Sequence, residues 1–301
     1  MIWLLTAEAR KLVRPLAWGS ALAAAVFLVL LTWAATSNAR SALVSPRVPD
    51  VCAGAPTQAC RNVISRARED ALTAARATRQ LEQPGDVGQV AAGMFASLPG
   101  VLLIALISGG HWGGEWGSRT IRALLTREGR RTRVLLAKWL TVWAAGIAMM
   151  IACWAVLALL APAIAALSGL PPTGGSLWQG LGLAVSSAGR AVIVLGLFSA
   201  IGIAAGTVAR GQLATTAVAA GFMLAALVIA NIGGLGAWSP ASFVQSWMRF
   251  GSTSYLPTNF WSRFVAGGTQ LSQLAGLAGI VVTIAAAALI ARWRIAQDVT
   301  V

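Results

Sequence analysis

Few side chains in this sequence could carry chemistry. The chain has 301 residues with one histidine and nine Asp and Glu, against 23 Lys and Arg. His111 precedes Glu115 by four residues, a spacing that can share one helix face, but two ligands make a poor metal site. Gly109, Gly110, Gly113, Gly114 and Gly117 surround that pair. A phosphate-cradling loop would follow such glycines with Lys-Ser/Thr, and no GxxxxGK[ST] occurs in the chain. These glycines are expected to let an apolar span end and the backbone turn back at a membrane surface. No nucleophile, base and acid combine into a readable set. The chain is therefore not expected to be an enzyme, and no catalytic, cofactor-binding or metal residue is assigned. Cys52 and Cys60 lie eight positions apart in a hydrophilic segment. They could close a small disulfide loop if that segment is external; the alternative is two unpaired thiols. Cys153 lies in an apolar run and reads as packing.

Elements that would position these residues follow from composition. The chain is 57% hydrophobic and 11% charged, too apolar for a soluble domain, which carries about 25% charged residues. Its net charge of +14 would suggest nucleic acid in a soluble protein. Here the charges sit in loops between apolar runs, so orientation in a bilayer explains them and no nucleic-acid partner is expected. The expected fold is all-α and integral to the membrane, a single transmembrane domain over 1–301. Six spans are expected: about 16–36, 90–109 with Pro99 as a kink, 140–167, a fourth ending at Val208, 213–232 and 275–291. The first apolar run is too long for a cleaved signal core and is expected to stay as a span.

Both ends are expected in the cytoplasm. Residues 1–15 read as an interfacial amphipathic helix, with Ile2, Trp3, Leu5, Ala9, Leu12 and Val13 on one face and Glu8, Arg10, Lys11 and Arg14 opposite or flanking. Segment 37–89 reads as a small external insertion holding a mixed-charge helix over Val63, Ile64, Ala67, Ala71, Ala74 and Ala75, ended by Pro84-Gly85. Segment 233–272 is aromatic and reads as short external, re-entrant helices. The densest basic segment, 110–138, carries Arg119, Arg122, Arg127, Arg130, Arg131, Arg133 and Lys138, which marks it as cytoplasmic. Within it, Arg119 to Leu125 reads as a short amphipathic helix with Ile121, Leu124 and Leu125 against Arg119 and Arg122. Glu115 facing Arg119 is a candidate hinge ion pair; an ordinary surface pair is the alternative. Arg190 is the one charge inside an apolar run. It lies 20 residues before Arg210, about 30 Å along a helix, so the two could mark both interfaces of one span. A role in a substrate path is the other reading. Gly202 and Gly206 form a GxxxG, expected to allow close helix approach, with a dimer contact as one use.

The run GGEWGSRTIRALLTREGRRTRVLLAKWL resembles the ABC-2 type permeases, membrane subunits of ATP-binding-cassette exporters. In that family a Gly-Glu segment with Thr-x-Arg follows span two, and a lysine opens span three. Gly114, Glu115, Arg119, Thr120, Arg122, Arg131 and Lys138 occupy those places. The resemblance implies an exporter permease in a bacterial cell membrane, paired with a second permease copy or paralogue. Two separate ATPase subunits would bind the ATP, with no cofactor in this chain itself. Glu115, Arg119, Thr120, Arg122, Leu124 and Leu125 would form the coupling helix that meets the ATPase. The substrate is expected to be hydrophobic or amphipathic. The rival reading is a membrane anchor or sensor whose external segment binds a ligand and whose basic loop recruits a cytoplasmic partner.

Overall fold

The computed structural model describes residues 6–8, 15–44, 58–81, 83, 86–118, 120–127, 130–170, 177–230, 232, 236–249 and 271–297. Among these the regular structure is helical throughout. The helices are α1 (Pro15–Val44), α2 (Gln58–Leu81), α3 (Val87–Phe95), α4 (Leu98–Ser108), α5 (Gly114–Gly117), α6 (Thr120–Arg127), α7 (Arg131–Ser168), α8 (Leu177–Ala209), α9 (Gln212–Ala230), α10 (Pro240–Met248) and α11 (Gln273–Gln297). A π-helical turn, Gly109–Gly113, joins α4 to α5. Among the described residues, four helices are long and apolar enough to cross a membrane: those in α7, α8, α9 and α11; α3 with α4–α5 makes a fifth if the bent pair is one span.

The bundle is built around α8. Most of its apolar length is buried, and α3, α4, α7, α9, α10 and α11 pack on it. Ile104 of α4, Gly146 of α7 and Leu195 of α8 meet at its centre. There Gly146 admits the Ile104 side chain where a Cβ would lie 2.7 Å from Ile104 Cδ1. Indole-to-backbone bonds show α7 antiparallel to α8: Trp139 Nε1 donates to Gly196 O at 3.0 Å and Trp143 Nε1 to Val192 O at 2.7 Å.

Three expected boundaries move. The helix expected to end at Thr36 runs on to Val44, because Ala, Ser and Arg tolerate helix. The Thr36 and Ser41 hydroxyls also fold back onto the carbonyls of Trp33 and Ser37. At Pro99 the chain breaks rather than kinks. Ser97 is extended, its hydroxyl donates to Met94 O, and α3 and α4 diverge by 56°. A proline near the start of α4 is tolerated there but would disrupt a helix interior. Segment 110–138 is mostly helix: the π turn, α5, α6 and the first two turns of α7 occupy it.

On the side expected to be external, α2 lies along α1 and turns Ala75 into the contact. Arg79 Nη1 donates to Ser168 Oγ at 3.0 Å, tying α2 to the end of α7. Val63 and Ile64 of the same helix are exposed. Cys60 is disulfide-bonded; Cys52, the position expected to pair with it, lies outside the described residues, as do Pro84 and Gly85. Cys153 is a buried free thiol. Of the aromatic segment, α10 is described. Ser239 caps it by accepting from the Ser242 amide, and Phe243 is seated on Gly279 of α11.

Asp86 is buried immediately before α3, accepting from Gln89 Nε2 at 3.1 Å and lying against Gly180 of α8. Burial pushes its carboxyl above the usual carboxylate range, and the Gln89 bond offsets this in part. The unfolded chain therefore releases this proton at lower pH than the folded chain. The Asp86 contribution to stability is greatest below the ordinary carboxylate pKa and falls as pH rises through the raised one. Thermal unfolding in detergent should show this decline, and Asp86→Asn should flatten it. Gly100 lies so close to the Phe95 carbonyl that a side chain there would overlap it. Gly100→Val should cost about 1–3 kcal/mol, the usual range for overpacking, read as a lowered melting temperature.

Candidate coupling site

The site grows from the lone histidine segment. Gly109 and Gly113 were expected to end the span, yet the helix continues through them as the π turn and reverses only after Gly117. Their lack of side chains serves close approach instead. A Cβ at Gly109 would overlap Thr216 Oγ1, and one at Gly113 would overlap Thr215 Oγ1, both on α9. On the opposite side, Gly202 of α8 seats Ser108, and Gly206 seats Trp112. The GxxxG pattern is therefore filled within the chain, by α4 and the π turn, rather than left open for a second copy. The π turn is thus gripped between the end of α8 and the start of α9.

One consequence is the side-chain order along the turn. Trp112 is fully buried, with Trp116 packed edge-on at 6.1 Å between ring centroids. His111 and Glu115 emerge on the side of α7, where Lys138 is fully buried. The Lys138 ammonium bonds Glu115 Oε1 at 2.5 Å and also bonds Glu8 Oε2. His111 Nε2 lies 3.0 Å from the same Glu8 oxygen. The ammonium also sits 5.6 Å from the Trp112 ring centroid, within cation–π range. Glu8 belongs to the short described helical stretch 6–8, was expected on a charged outer face, and is buried. The rest of the expected interfacial helix lies outside the described residues.

Three segments separated in sequence thus converge on one buried charge: the N-terminal segment, the π turn with α5, and α7. Ion desolvation costs several kcal/mol, so such a cluster persists only when every charge is paired. Its chemistry is structural. It holds charge at the base of the bundle, and no group of three or more His, Cys, Asp or Glu is placed for a metal among the described residues.

From this knot α6 projects. Ser118 Oγ donates to Gly114 O at 2.9 Å, and the Ser118 and Thr120 hydroxyls lie 3.1 Å apart, stitching α5 to α6. Ile121 is buried, and Leu124 and Leu125 pack partly against the core. Thr120 and Ala123 lie on the open face. The apolar stripe of α6 thus faces the bundle. Arg119 and the Arg122 side chain lie outside the described residues. Arg210, in the turn between α8 and α9, holds its guanidinium 5.5 Å from the Trp116 ring centroid. Arg190 is half-buried on α8, and its backbone carbonyl accepts from Trp247 Nε1 of α10 at 3.1 Å.

Sequence reasoning placed Glu115 and Lys138 in one segment and paired Glu115 with Arg119, which lies outside the described residues; among those described, Lys138 bonds Glu115. It missed Glu8 and His111 as members of the same cluster. Lys138→Met should leave buried carboxylates facing each other and cost about 3–5 kcal/mol. Glu115→Gln keeps an acceptor for the ammonium and should cost less. Melting temperatures of the purified variants in one detergent rank the two.

A family model described as ABC-2 family transporter protein matches residues 2–253. The match takes in the N-terminal segment, the π turn, α6 and the start of α7, and stops before α11. No match to the chain was found among curated proteins or solved structures. With most of its length matched, and with several apolar helices fit to span a bilayer, the chain is a multi-pass membrane protein and belongs to the ABC-2 family of transporter proteins.

Proposed function

We propose that this chain is the permease subunit of an ATP-driven exporter, moving a hydrophobic or amphipathic substrate out of a bacterial cell. Family membership makes it a membrane component of an ABC transporter and implies association with an ABC ATPase. Export, the cargo and the assembly are our reading. The observation that carries it is the buried tie of Lys138 to Glu115 and Glu8. Through it, the base of α6 is joined without slack to α7 and to the N-terminal segment. A push on α6 is then delivered to span ends rather than absorbed in a loop, which a mechanically driven permease requires.

In this reading ATP is bound and hydrolysed by two partner ATPase subunits, and this chain carries no cofactor. A second permease copy or a paralogue completes the path, with lipids around the apolar faces. The membrane is crossed six times, by α1, the broken pair α3–α4, α7, α8, α9 and α11, with both ends in the cytoplasm. Helices α2 and α10 lie outside, where Cys52 would close the bond to Cys60 in an oxidising compartment. Arg190 and Arg210 anchor the two interfaces of α8. The open face of α6, with Arg119, Thr120 and Arg122, meets the ATPase, while Leu124 and Leu125 brace it from behind and Glu115 is its hinge.

Charge reversal at Arg119 and Arg122 tests the reading. The wild-type chain should copurify with an ATPase and show vanadate-sensitive hydrolysis after reconstitution. The double variant Arg119→Glu/Arg122→Glu should lose most of the copurifying ATPase while keeping its melting temperature. Undiminished copurification and hydrolysis in that variant would remove α6 from the docking surface.

A further inference from the structure

Two helix interfaces in this bundle are made in opposite ways. Between α4 with its π turn and α8, contact is through glycine seats: Gly202 against Ser108 and Gly206 against Trp112. The side-chain polar atoms there, Ser108 Oγ and Trp112 Nε1, make no hydrogen bond among the described residues, although both are buried. Nothing directional holds this contact in register. Between α7 and α8, contact is directional. Trp139 and Trp143 stack at 5.4 Å with planes 9° apart, and each indole N–H reaches across to an α8 carbonyl. The acceptors, Gly196 and Val192, are four residues apart, as are the donors, so the pair bridges one turn to one turn. Both indoles pass close to Gly196, where a virtual Cβ would lie at ordinary contact distance, 3.5 Å, from Trp143. A helix carbonyl has a second lone pair, so these bonds add to the helix's own ladder without replacing it. In an apolar bundle such interhelical bonds and close packing hold helices together, since burial from water does not.

Position along α7 gives this pairing its meaning. Trp139 directly follows Lys138, the residue at the centre of the buried charge cluster. Force arriving at Lys138 meets the indole bridge within one residue. From the far side of α8, Trp247 of α10 donates to the Arg190 carbonyl. Helix α8 is therefore gripped by indole bonds from two neighbours over the stretch from Arg190 to Gly196.

We infer that Trp139 and Trp143 are positioning residues that bind α7 to α8 as one moving body, so that displacement at Lys138 carries α8 past α4 across the glycine seats. The claim that this body moves during transport rests on the permease reading. The claim that the two indoles join α7 to α8 does not. Both are read from spin-label distances on a Cys153→Ala background. One label pair sits at Leu167 of α7 and Val185 of α8, the other at Leu102 of α4 and Val185; all three positions are exposed. In the resting chain the 167–185 distance should be narrow. It should broaden and shift in Trp139→Phe/Trp143→Phe, which keeps two stacked rings and removes both N–H donors. Trp154→Phe, which alters an α7 indole with no hydrogen bond to α8 among the described residues, should leave it unchanged. An equally narrow distance in the double variant, or equal broadening in the Trp154 variant, overturns the inference. With the copurifying ATPase trapped by ATP and vanadate, the 102–185 distance should shift while 167–185 holds. A shift in 167–185 as large as that in 102–185 also overturns it. If neither pair responds, it is the ATP-driven permease reading that fails, and the resting-state comparison still decides the role of the indoles.

Discussion

A lysine ammonium without access to water is the constraint on which this structure turns. Lys138 is fully buried in the first turns of α7, and its ammonium is paired with both Glu115 and Glu8. Each partner drags a segment along: Glu115 brings the π turn and α5, and Glu8 brings the N-terminal segment. Desolvation makes any half-formed version of this cluster costly, so its parts assemble together or not at all. The compact ammonium suits the place. It bonds two carboxylates in different directions and still lies near the Trp112 face, whereas a guanidinium is larger and planar. In a chain whose cations are otherwise almost all arginine, the lysine at this position is a steric choice.

Around that charge the bundle divides into firm and smooth contacts. Indole bonds fasten α7 and α10 to α8, while glycine seats let α4 and the π turn lie close to α8 and α9 with few directional bonds. Small residues give such packing by admitting backbone to backbone, and they impose little register of their own. Rigidity and freedom are thus placed on different faces of the same central helix. Helices α8 and α9 are joined by Arg210 in the left-handed region (φ 55), a strained conformation for a residue with a side chain. Its guanidinium lies over Trp116, beside the π turn.

Much of this was legible in the residues. Apolar runs broken by basic segments show the spans in outline, and helical spacing of alanines shows α2. Charge density singles out 110–138, and the glutamate and lysine within it belong to the cluster. What could not be read was distance. Glu8 and Lys138 are separated by 130 residues, and no local pattern announces that a carboxylate on a basic amphipathic segment will be buried. Glycines mislead for a related reason. Gly109, Gly113, Gly202 and Gly206 have the same composition whether they end a helix, meet a second chain or seat a neighbour, and only the surrounding side chains decide among these. Pro99 signalled a disturbance, and the extended Ser97 beside it made that disturbance a break. The continuation of α1 to Val44 was hidden because Thr and Ser, counted as polar breaks, return their hydroxyls to the helix itself.

The π turn carries a consequence of another kind. A π-helical turn holds one residue more than the α-helical turn it replaces, and such turns arise as single insertions into a helix. Ser108 and Trp112 before and within it face α8, while His111 and Glu115 face Lys138. That division depends on angular phase, since each residue added or removed rotates every later side chain of the helix by about 100°. Between Ser108 and Glu115, chain length is therefore as constrained as residue identity. A lineage of this sequence could exchange side chains here one at a time, but an insertion or deletion would turn the glutamate away from its lysine in a single step.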